Sequence, residues 1–315
     1  MIVQLIRTIM LTQNKAIIAN RETLKPSESL MNTQTLPYQN ILVIAASGKT
    51  GRRVVPLLEK RGATVRRGSR SSMPPFDWTS PDTWTAALEG MDAAYVVYQP
   101  DLAVPSAPDD IRTFAQIAKA QGVRKVVLLS GRGVQEAAIA EQIVAESGLE
   151  WTHIRASWFS QNFTEGDFAF MTESGVIALP MGLAVEPIID VDDIAEVVAV
   201  TLTTTDLNGQ SLDLSGPEAL NHDQIAADLS RAAGREIRYE SISDDAFRSA
   251  LLDLAVPSEY IDLLAYLFEV TRSGVNAAPT NDVERVLGRS PRTFKEFATL
   301  AAEEGAFDAK DVSRG

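Results

Sequence analysis

The sequence predicts an α/β fold, a doubly wound parallel sheet that carries a smaller, mainly helical C-terminal lobe. Three observations predict it. From Ile41 onward, short apolar runs alternate with helical patterns at the spacing of βαβ units. The first run, Ile41-Leu42-Val43-Ile44-Ala45, is apolar without interruption, as a strand covered on both faces must be. A glycine-bearing turn, Ala46-Ser47-Gly48-Lys49-Thr50-Gly51, then leads straight into a helix.

That helix, Arg52 to Arg61, presents Val54, Val55, Leu57 and Leu58 and stops at Gly62, as a helix end favours. Ala63 to Ser69 reads as the next strand, broken by Pro74-Pro75. A short helix over Thr83 to Leu88 precedes a strand at Ala93 to Tyr98. The helix Pro108 to Gln121 leads to the strand Lys125 to Ser130. The helix Glu136 to Ser147 leads through Gly148 to the strand Trp151 to Arg155. Beyond this the alternation fades. Short strands are expected at Pro187 to Asp190 and Ser211 to Leu214, with a helix at Val191 to Thr204. Further helices are expected near 224–233, 244–254, 258–270 and 292–304. No Gly-, Pro- or Ser-rich break sets these apart from the sheet.

The turn carries the chemistry. Gly48 and Gly51 fill the second and third places of a G-x-x-G-x-x-G dinucleotide fingerprint, where backbone must approach a pyrophosphate and a helix must pack closely on a strand. Free N–H groups at the helix start would hold the phosphates, with Ser47 and Thr50 adding hydroxyl donors. Ala45 stands in the first glycine's place, which it tolerates only at negative φ. The next strand's end chooses between cofactors. A carboxylate there would bind a ribose 2′-hydroxyl, but the segment reads Arg66-Arg67-Gly68-Ser69-Arg70-Ser71-Ser72. Between Lys49 and Arg70 eight basic residues face one acid, Glu59. A guanidinium fork suits a phosphate, so the expected cofactor is NADPH, with Arg70 on its 2′-phosphate. Lys60 and Arg61 read as a solvated helix face.

Residues 39–315 are therefore expected to form one NAD(P)-binding domain of Rossmann type. Within it, 41–160 would be the dinucleotide-binding core and 161–315 the substrate-side lobe. Residues 1–38 read as a disordered or targeting extension: Met1 to Leu11 is apolar but short, no cleavage site follows, and Met31 stands just before the periodic region. Composition narrows the function. A hydrophobic share of 45% with 23% charged residues is that of a globular protein. A net charge of −13 speaks against nucleic acid or an anionic membrane surface as partner. The absence of cysteine excludes disulfides and a thiol nucleophile, and two histidines, His153 and His222, make a metal centre unexpected. No stretch is long and apolar enough to read as a membrane span. A cytoplasmic monomer or homodimer acting on a small molecule is the expectation.

From about Asn40 to Phe297 the chain resembles the NmrA-like group of atypical short-chain dehydrogenases, in particular the branch of the ergot-alkaloid reductases. The resemblance rests on the glycine turn, Gly68-Ser69-Arg70-Ser71, Pro75-Phe76-Asp77-Trp78, Leu129-Ser130-Gly131-Arg132-Gly133, Trp151 to Phe163, Asp190 to Ala195 and Val286-Leu287-Gly288-Arg289. It implies that Asp77 and Trp78, after a third strand, lie by the adenine. Tyr98, Gln99 and Pro100, ending a fourth, would lie by the ribose and nicotinamide. It puts Ser130, at the end of a fifth, where typical short-chain dehydrogenases keep a catalytic serine. Ser157, Trp158, Phe159 and Asn162, after a sixth, would wall the nicotinamide and substrate. Trp158 and Phe159 also suit a plain core, His153 reads as packing, and Asp190, Asp192 and Asp193 suit a helix N-terminus better than acid catalysis.

One feature of typical short-chain dehydrogenases is missing. In Tyr-x-x-x-Lys the lysine lowers the tyrosine's pKa for proton transfer. The six tyrosines here (38, 95, 98, 239, 260 and 266) are followed four places on by Leu42, Gln99, Leu102, Ser243, Leu264 and Val270. The expected activity is hydride transfer to a hydrophobic acceptor that needs little acid help, an imine or iminium or a quinone or enone. Tyr98 or Ser130 would lend a hydrogen bond. The competing reading is a non-catalytic NADP(H)-sensing regulator, and epimerase chemistry is disfavoured by the missing pair. The discriminating feature is whether Trp158, Phe159, Phe163, Phe168, Phe170, Leu263, Leu264 and Tyr266 enclose a pocket or fill a core.

Overall fold

A computed structural model describes residues 36–166 and 168–308, so most of the N-terminal extension lies outside the described residues. The chain runs β1 (Asn40–Ile44), α1 (Gly51–Lys60), β2 (Thr64–Gly68), a 3₁₀ turn (Pro81–Thr83), α2 (Trp84–Leu88) and β3 (Ala93–Val96). It continues with α3 (Ala107–Ala120), β4 (Lys125–Gly131), α4 (Gln135–Glu146) and β5 (Glu150–Ala156). Then come α5 (Asn162–Glu165), α6 (Ala169–Ser174), β6 (Val176–Leu179), α7 (Val191–Thr203), β7 (Gln210–Leu214), α8 (His222–Ala233) and β8 (Arg238–Ser241). Four helices close the chain: α9 (Asp244–Asp253), α10 (Ser258–Arg272), α11 (Asp282–Leu287) and α12 (Phe294–Glu303).

Six strands form one parallel sheet in the order β2-β1-β3-β4-β5-β7. Successive side chains of a strand point to opposite faces, and the two faces bury different sets. Leu42, Ile44, Val96, Val126 and Leu128 pack under α2, α3 and α4 with Trp84, Phe114 and Val144. Ile41, Val43, Tyr95, Val127, Ile154 and Leu212 pack under α1 and α7 with Val54, Leu58, Ile194, Val198 and Leu202. Each such fully buried side chain contributes roughly 1.5–3 kcal/mol. Strand order reverses between β1 and β3, and α/β sheets open a ligand crevice at the carboxyl ends flanking such a point.

The C-terminal elements build a third apolar cluster around Phe163, Phe168, Phe268, Phe294 and Phe297, over a two-stranded parallel sheet of β6 and β8. The sequence did not signal that sheet, nor α5, α6 and α11. Two expectations are corrected. Residues 187–190 make no strand; only Ile189 bridges to Phe159, because the segment turns at once into α7. No strand separates Gly68 from Ala93, so the site residues expected after strands four, five and six follow β3, β4 and β5.

Candidate functional site

The glycine turn sits at the carboxyl end of β1. Ala46 N donates to Gly68 O at 3.3 Å, and Gly48 N to Ala45 O at 2.8 Å. Among the described residues the N–H groups of Ser47, Thr50 and Gly51 carry no hydrogen bond, which leaves them for an anion. A Cβ on Gly51 would meet Ala45 O at 2.2 Å and Ala46 Cα at 2.8 Å, so only glycine lets α1 pack this close. A Cβ on Gly48 meets only Ala45, its O at 3.1 Å and its Cβ at 3.8 Å. These are the features a pyrophosphate-holding turn requires. Two expectations fail in detail. Ala45 adopts φ 53°, the left-handed conformation that favours glycine. Thr50 is buried with its hydroxyl toward Tyr95, so Ser47 alone offers an exposed hydroxyl.

The basic run resolves into separate roles. Arg52 pairs with Glu165, and Arg53 bridges Glu165 at 2.8 Å and Asp192 at 2.6 Å. Arg61 donates to the Thr203 hydroxyl. Arg66 donates to the carbonyls of Ala86, Ala87 and Glu89, and Arg67 pairs with Glu59. Arg70 alone of the arginines in that run makes no ion pair or hydrogen bond among the described residues. It stands exposed beyond β2, on a turn fixed by the Ser72 hydroxyl, which donates to Ser69 O and accepts from Ser69 N. The Thr79 N–H and hydroxyl hold the nearby Asp77 carboxyl below its usual range, and Arg70 adds to this. Trp78, expected by the adenine, is a core residue. Its indole N–H donates to Val97 O at 2.9 Å and its ring packs with Phe76, Trp84, Tyr98 and Phe114.

A cavity of about 280 Å³ opens at the carboxyl ends of β3, β4 and β5. Its floor is Tyr98, Pro100, Ser130 and Ser157, its walls Trp158, Phe159 and Asn162, and its far side Leu263 and Leu264 of α10. Gln99 lies exposed beside it. The aromatic set thus divides. Trp158, Phe159, Leu263 and Leu264 line the cavity, whereas Phe163 and Phe168 fill the core behind it, Phe170 packs against that core, and Tyr266 packs on the α3–α4 side. Trp158 is held by its N–H donating to Thr271 Oγ1 at 2.9 Å and by stacking on Phe268. The Asn162 side chain makes no hydrogen bond among the described residues and borders the cavity.

Neither expected catalytic hydroxyl is free. Tyr98 Oη donates to Asp110 at 2.5 Å, and burial with this carboxylate pushes its pKa up to about 12. Ser130 Oγ donates to Glu141 Oε1 at 2.6 Å, and the buried Glu141 is also held by Arg155 in a two-pronged pair. His153 is stacked on Trp151 and buried, which pushes its pKa down to about 4. Asp190 caps α7 by accepting from Asp192 N, and Arg292 ties Asp190 to Asp192. Sequence reasoning missed Glu186. The residue borders the cavity, 3% exposed, with both carboxyl oxygens buried, and burial pushes its pKa up to about 7. Among the described residues no group of His, Asp and Glu side chains is placed to hold a metal ion, and no helix is long and apolar enough to cross a membrane.

A parallel sheet whose switch-point glycine turn adjoins a cavity with an apolar wall defines a dinucleotide-binding protein. Residues 45–205 match the family described as NAD(P)H-binding. The chain is 28% identical to prestalk A differentiation protein A of Dictyostelium discoideum, over 88% of this chain and 98% of that one. It is 30% identical to a festuclavine dehydrogenase of Aspergillus fumigatus (82% and 96%) and 31% to an NAD(P)H azoreductase of Xenophilus azovorans (85% and 99%). An NADPH-dependent quinone oxidoreductase of Escherichia coli shares the fold, with a TM-score of 0.69 at 22% identity over 82% and 99% of the two chains. The chain belongs to the NAD(P)H-binding family and, within it, to the NmrA-like atypical short-chain dehydrogenases of the ergot-alkaloid-reductase branch; it is an NAD(P)H-dependent oxidoreductase.

Proposed function

We propose that this chain reduces a small or medium hydrophobic acceptor, an imine or iminium or a quinone or enone, at the expense of NADPH and without a Tyr-x-x-x-Lys relay. The observation that carries the reading is the cavity beside the glycine turn. Its volume lies near the lower end of the roughly 300–1,000 Å³ usual for small-molecule sites, and Trp158, Phe159, Leu263 and Leu264 give it an apolar wall. The activities named for the azoreductase, quinone reductase and festuclavine dehydrogenase relatives support an acceptor with a conjugated or nitrogen-bearing group. When bound, the dinucleotide supplies hydride. The amides of Ser47, Thr50 and Gly51 would hold its pyrophosphate, and Arg70 would pair with its 2′-phosphate. Asn162 would orient the nicotinamide or acceptor, and the apolar walls would exclude water and fix the approach, which supplies much of the rate enhancement. A regulator that only senses the dinucleotide needs no such space.

Two measurements test this. The purified protein should oxidise NADPH in the presence of at least one quinone, enone or imine; firm NADPH binding with no turnover across such a panel would favour the regulator. Arg70→Ala should weaken NADPH binding about 10- to 150-fold, the worth of a charge-assisted bond of ~1.5–3 kcal/mol, and leave NADH binding almost unchanged. Equal losses for both nucleotides would remove Arg70 from the assignment.

A further inference from the structure

Glu186 differs from the other buried carboxylates around the site. Glu141 is held by Arg155, Asp190 by Arg292 and Asp193 by Arg289, at 2.6, 2.6 and 2.7 Å. Glu186 is equally buried, yet neither carboxyl oxygen has a hydrogen-bond partner among the described residues. Ser157 and the Trp158 backbone approach it, but neither closes a bond of ordinary geometry. Its position is enforced: Glu186 N donates to Leu220 O at 3.0 Å and Leu220 N to Glu186 O at 3.1 Å, so a fixed backbone turns the side chain inward. Arg132 faces it from the end of β4, but that guanidinium already donates to Asn276 O, Ala278 O and Ser157 Oγ. From α8, His222 borders the same wall, its Nδ1 unpartnered and its pKa pushed down to about 4 by burial, so it brings no charge at neutral pH. Lys49 and Asp101 border the cavity too, and Asp101 accepts from Ala103 N. A buried carboxylate without a partner is costly, whereas a neutral carboxylic acid is tolerated and carries a proton to give.

We propose that Glu186 is the proton donor of the reduction, passing its proton to the acceptor's heteroatom by way of the Ser157 hydroxyl. The inference rests on the reductase reading above. Hydride brings two electrons to the acceptor. As negative charge develops on its oxygen or nitrogen, the Ser157 hydroxyl, which lies beside the Glu186 carboxyl, turns to accept its proton while giving its own to the acceptor, so the Glu186 O–H bond breaks and an O–H or N–H bond forms on the product. Solvent then reprotonates the carboxylate after product leaves. A neutral quinone or imine needs this proton; an N-alkylated iminium, which ends as a neutral amine, does not.

The test uses the full-length protein with NADPH and two acceptors, a quinone and an N-alkyl iminium. Glu186→Gln, isosteric with the neutral acid, should lower kcat for the quinone about 100-fold or more while sparing iminium reduction and NADPH affinity. Glu186→Asp should restore part of the quinone rate. Independently of turnover, infrared spectroscopy should show a protonated-carboxyl band that titrates near pH 7 and is missing from Glu186→Gln. An active enzyme whose quinone rate is untouched by Glu186→Gln refutes the role of Glu186 alone, as does equal loss with both acceptors. No turnover of any acceptor by the unsubstituted protein refutes the reductase reading itself.

Discussion

Replacing Ala45 with glycine should stabilise this protein, although it deletes a methyl group. Ala45 has φ 53°, where an L side chain crowds the following carbonyl oxygen, at a cost of roughly 1–2 kcal/mol. The conformation is imposed from both sides. β1 ends at Ile44, and Ala45 O must accept from Gly48 N at 2.8 Å for the turn to close. Glycine removes the crowding but loosens the unfolded chain, which takes back about 0.4–1 kcal/mol. The net gain is therefore about 0.5–1 kcal/mol, or roughly 1–4 °C in Tm for a domain of this size. Calorimetric or fluorescence-detected melting of the two proteins without nucleotide is sufficient. Because the backbone is already in place, NADPH affinity should change less than about threefold, a fraction of a kcal/mol. A Tm that falls, or stays the same while affinity rises strongly, would mean that Ala45 is not strained and that the turn is shaped by the nucleotide.

Gly51→Ala should cost about 2–3 kcal/mol in a denaturant titration, since its Cβ would lie 2.2 Å from a backbone oxygen. Gly48→Val should instead leave the melting temperature within a few degrees and abolish NADPH binding by calorimetry, because its side chain would occupy the open space above the turn. Arg155→Leu should destabilise by about 3 kcal/mol, as it strips the buried Glu141 of its counter-ion; adding Glu141→Gln should recover part of that loss. Burial lifts the Glu186 pKa from 4.5 in the unfolded chain to about 7 in the fold, so the folded protein holds an extra proton between those values. The stability this gives is complete below about pH 4.5 and is lost as pH rises through 7. Relative to Glu186→Gln, the unsubstituted protein should therefore lose up to about 3 kcal/mol between pH 4.5 and 8; parallel pH–stability curves would contradict it.

Much of the sheet was legible because its determinants are local. The apolar strands, the helix-period stripes and Gly48 and Gly51 each announce themselves within about ten residues, and every expected strand except 187–190 joins the one parallel sheet. Less was visible where the determinant is distant. β6 and β8 are four residues each and pair across some 60 positions, and Arg-Tyr-Glu-Ser has no apolar face of its own. The basic run looked like one cationic surface because the carboxylates that absorb Arg53, Glu165 and Asp192, lie 112 and 139 residues away. Trp78 carried the family pattern but gave no hint that its N–H would be taken by Val97 O. Tyr98 and Ser130 stand at the expected strand ends, yet Asp110 and Glu141, supplied by the helices that follow, take up their hydroxyls. Glu186 had one sequence signal, a lone acid in the otherwise apolar stretch from Ile177 to Ile189, and periodicity gives such a residue no role.

The chain of ions from Arg53 through Asp192 to Arg292 has a consequence for how the polypeptide can be cut. Arg292 and Arg289 arrive from just before α12, near the end of the described chain, and neutralise Asp190 and Asp193, which are 1% and 0% exposed at the start of α7. A fragment ending before residue 289 would strand two anions inside the helix layer that covers β1 and β3. The start of α7 is thus tied electrostatically to the segment that precedes α12. The covering of this face of the sheet therefore depends on guanidinium groups that lie about 100 residues further along the chain.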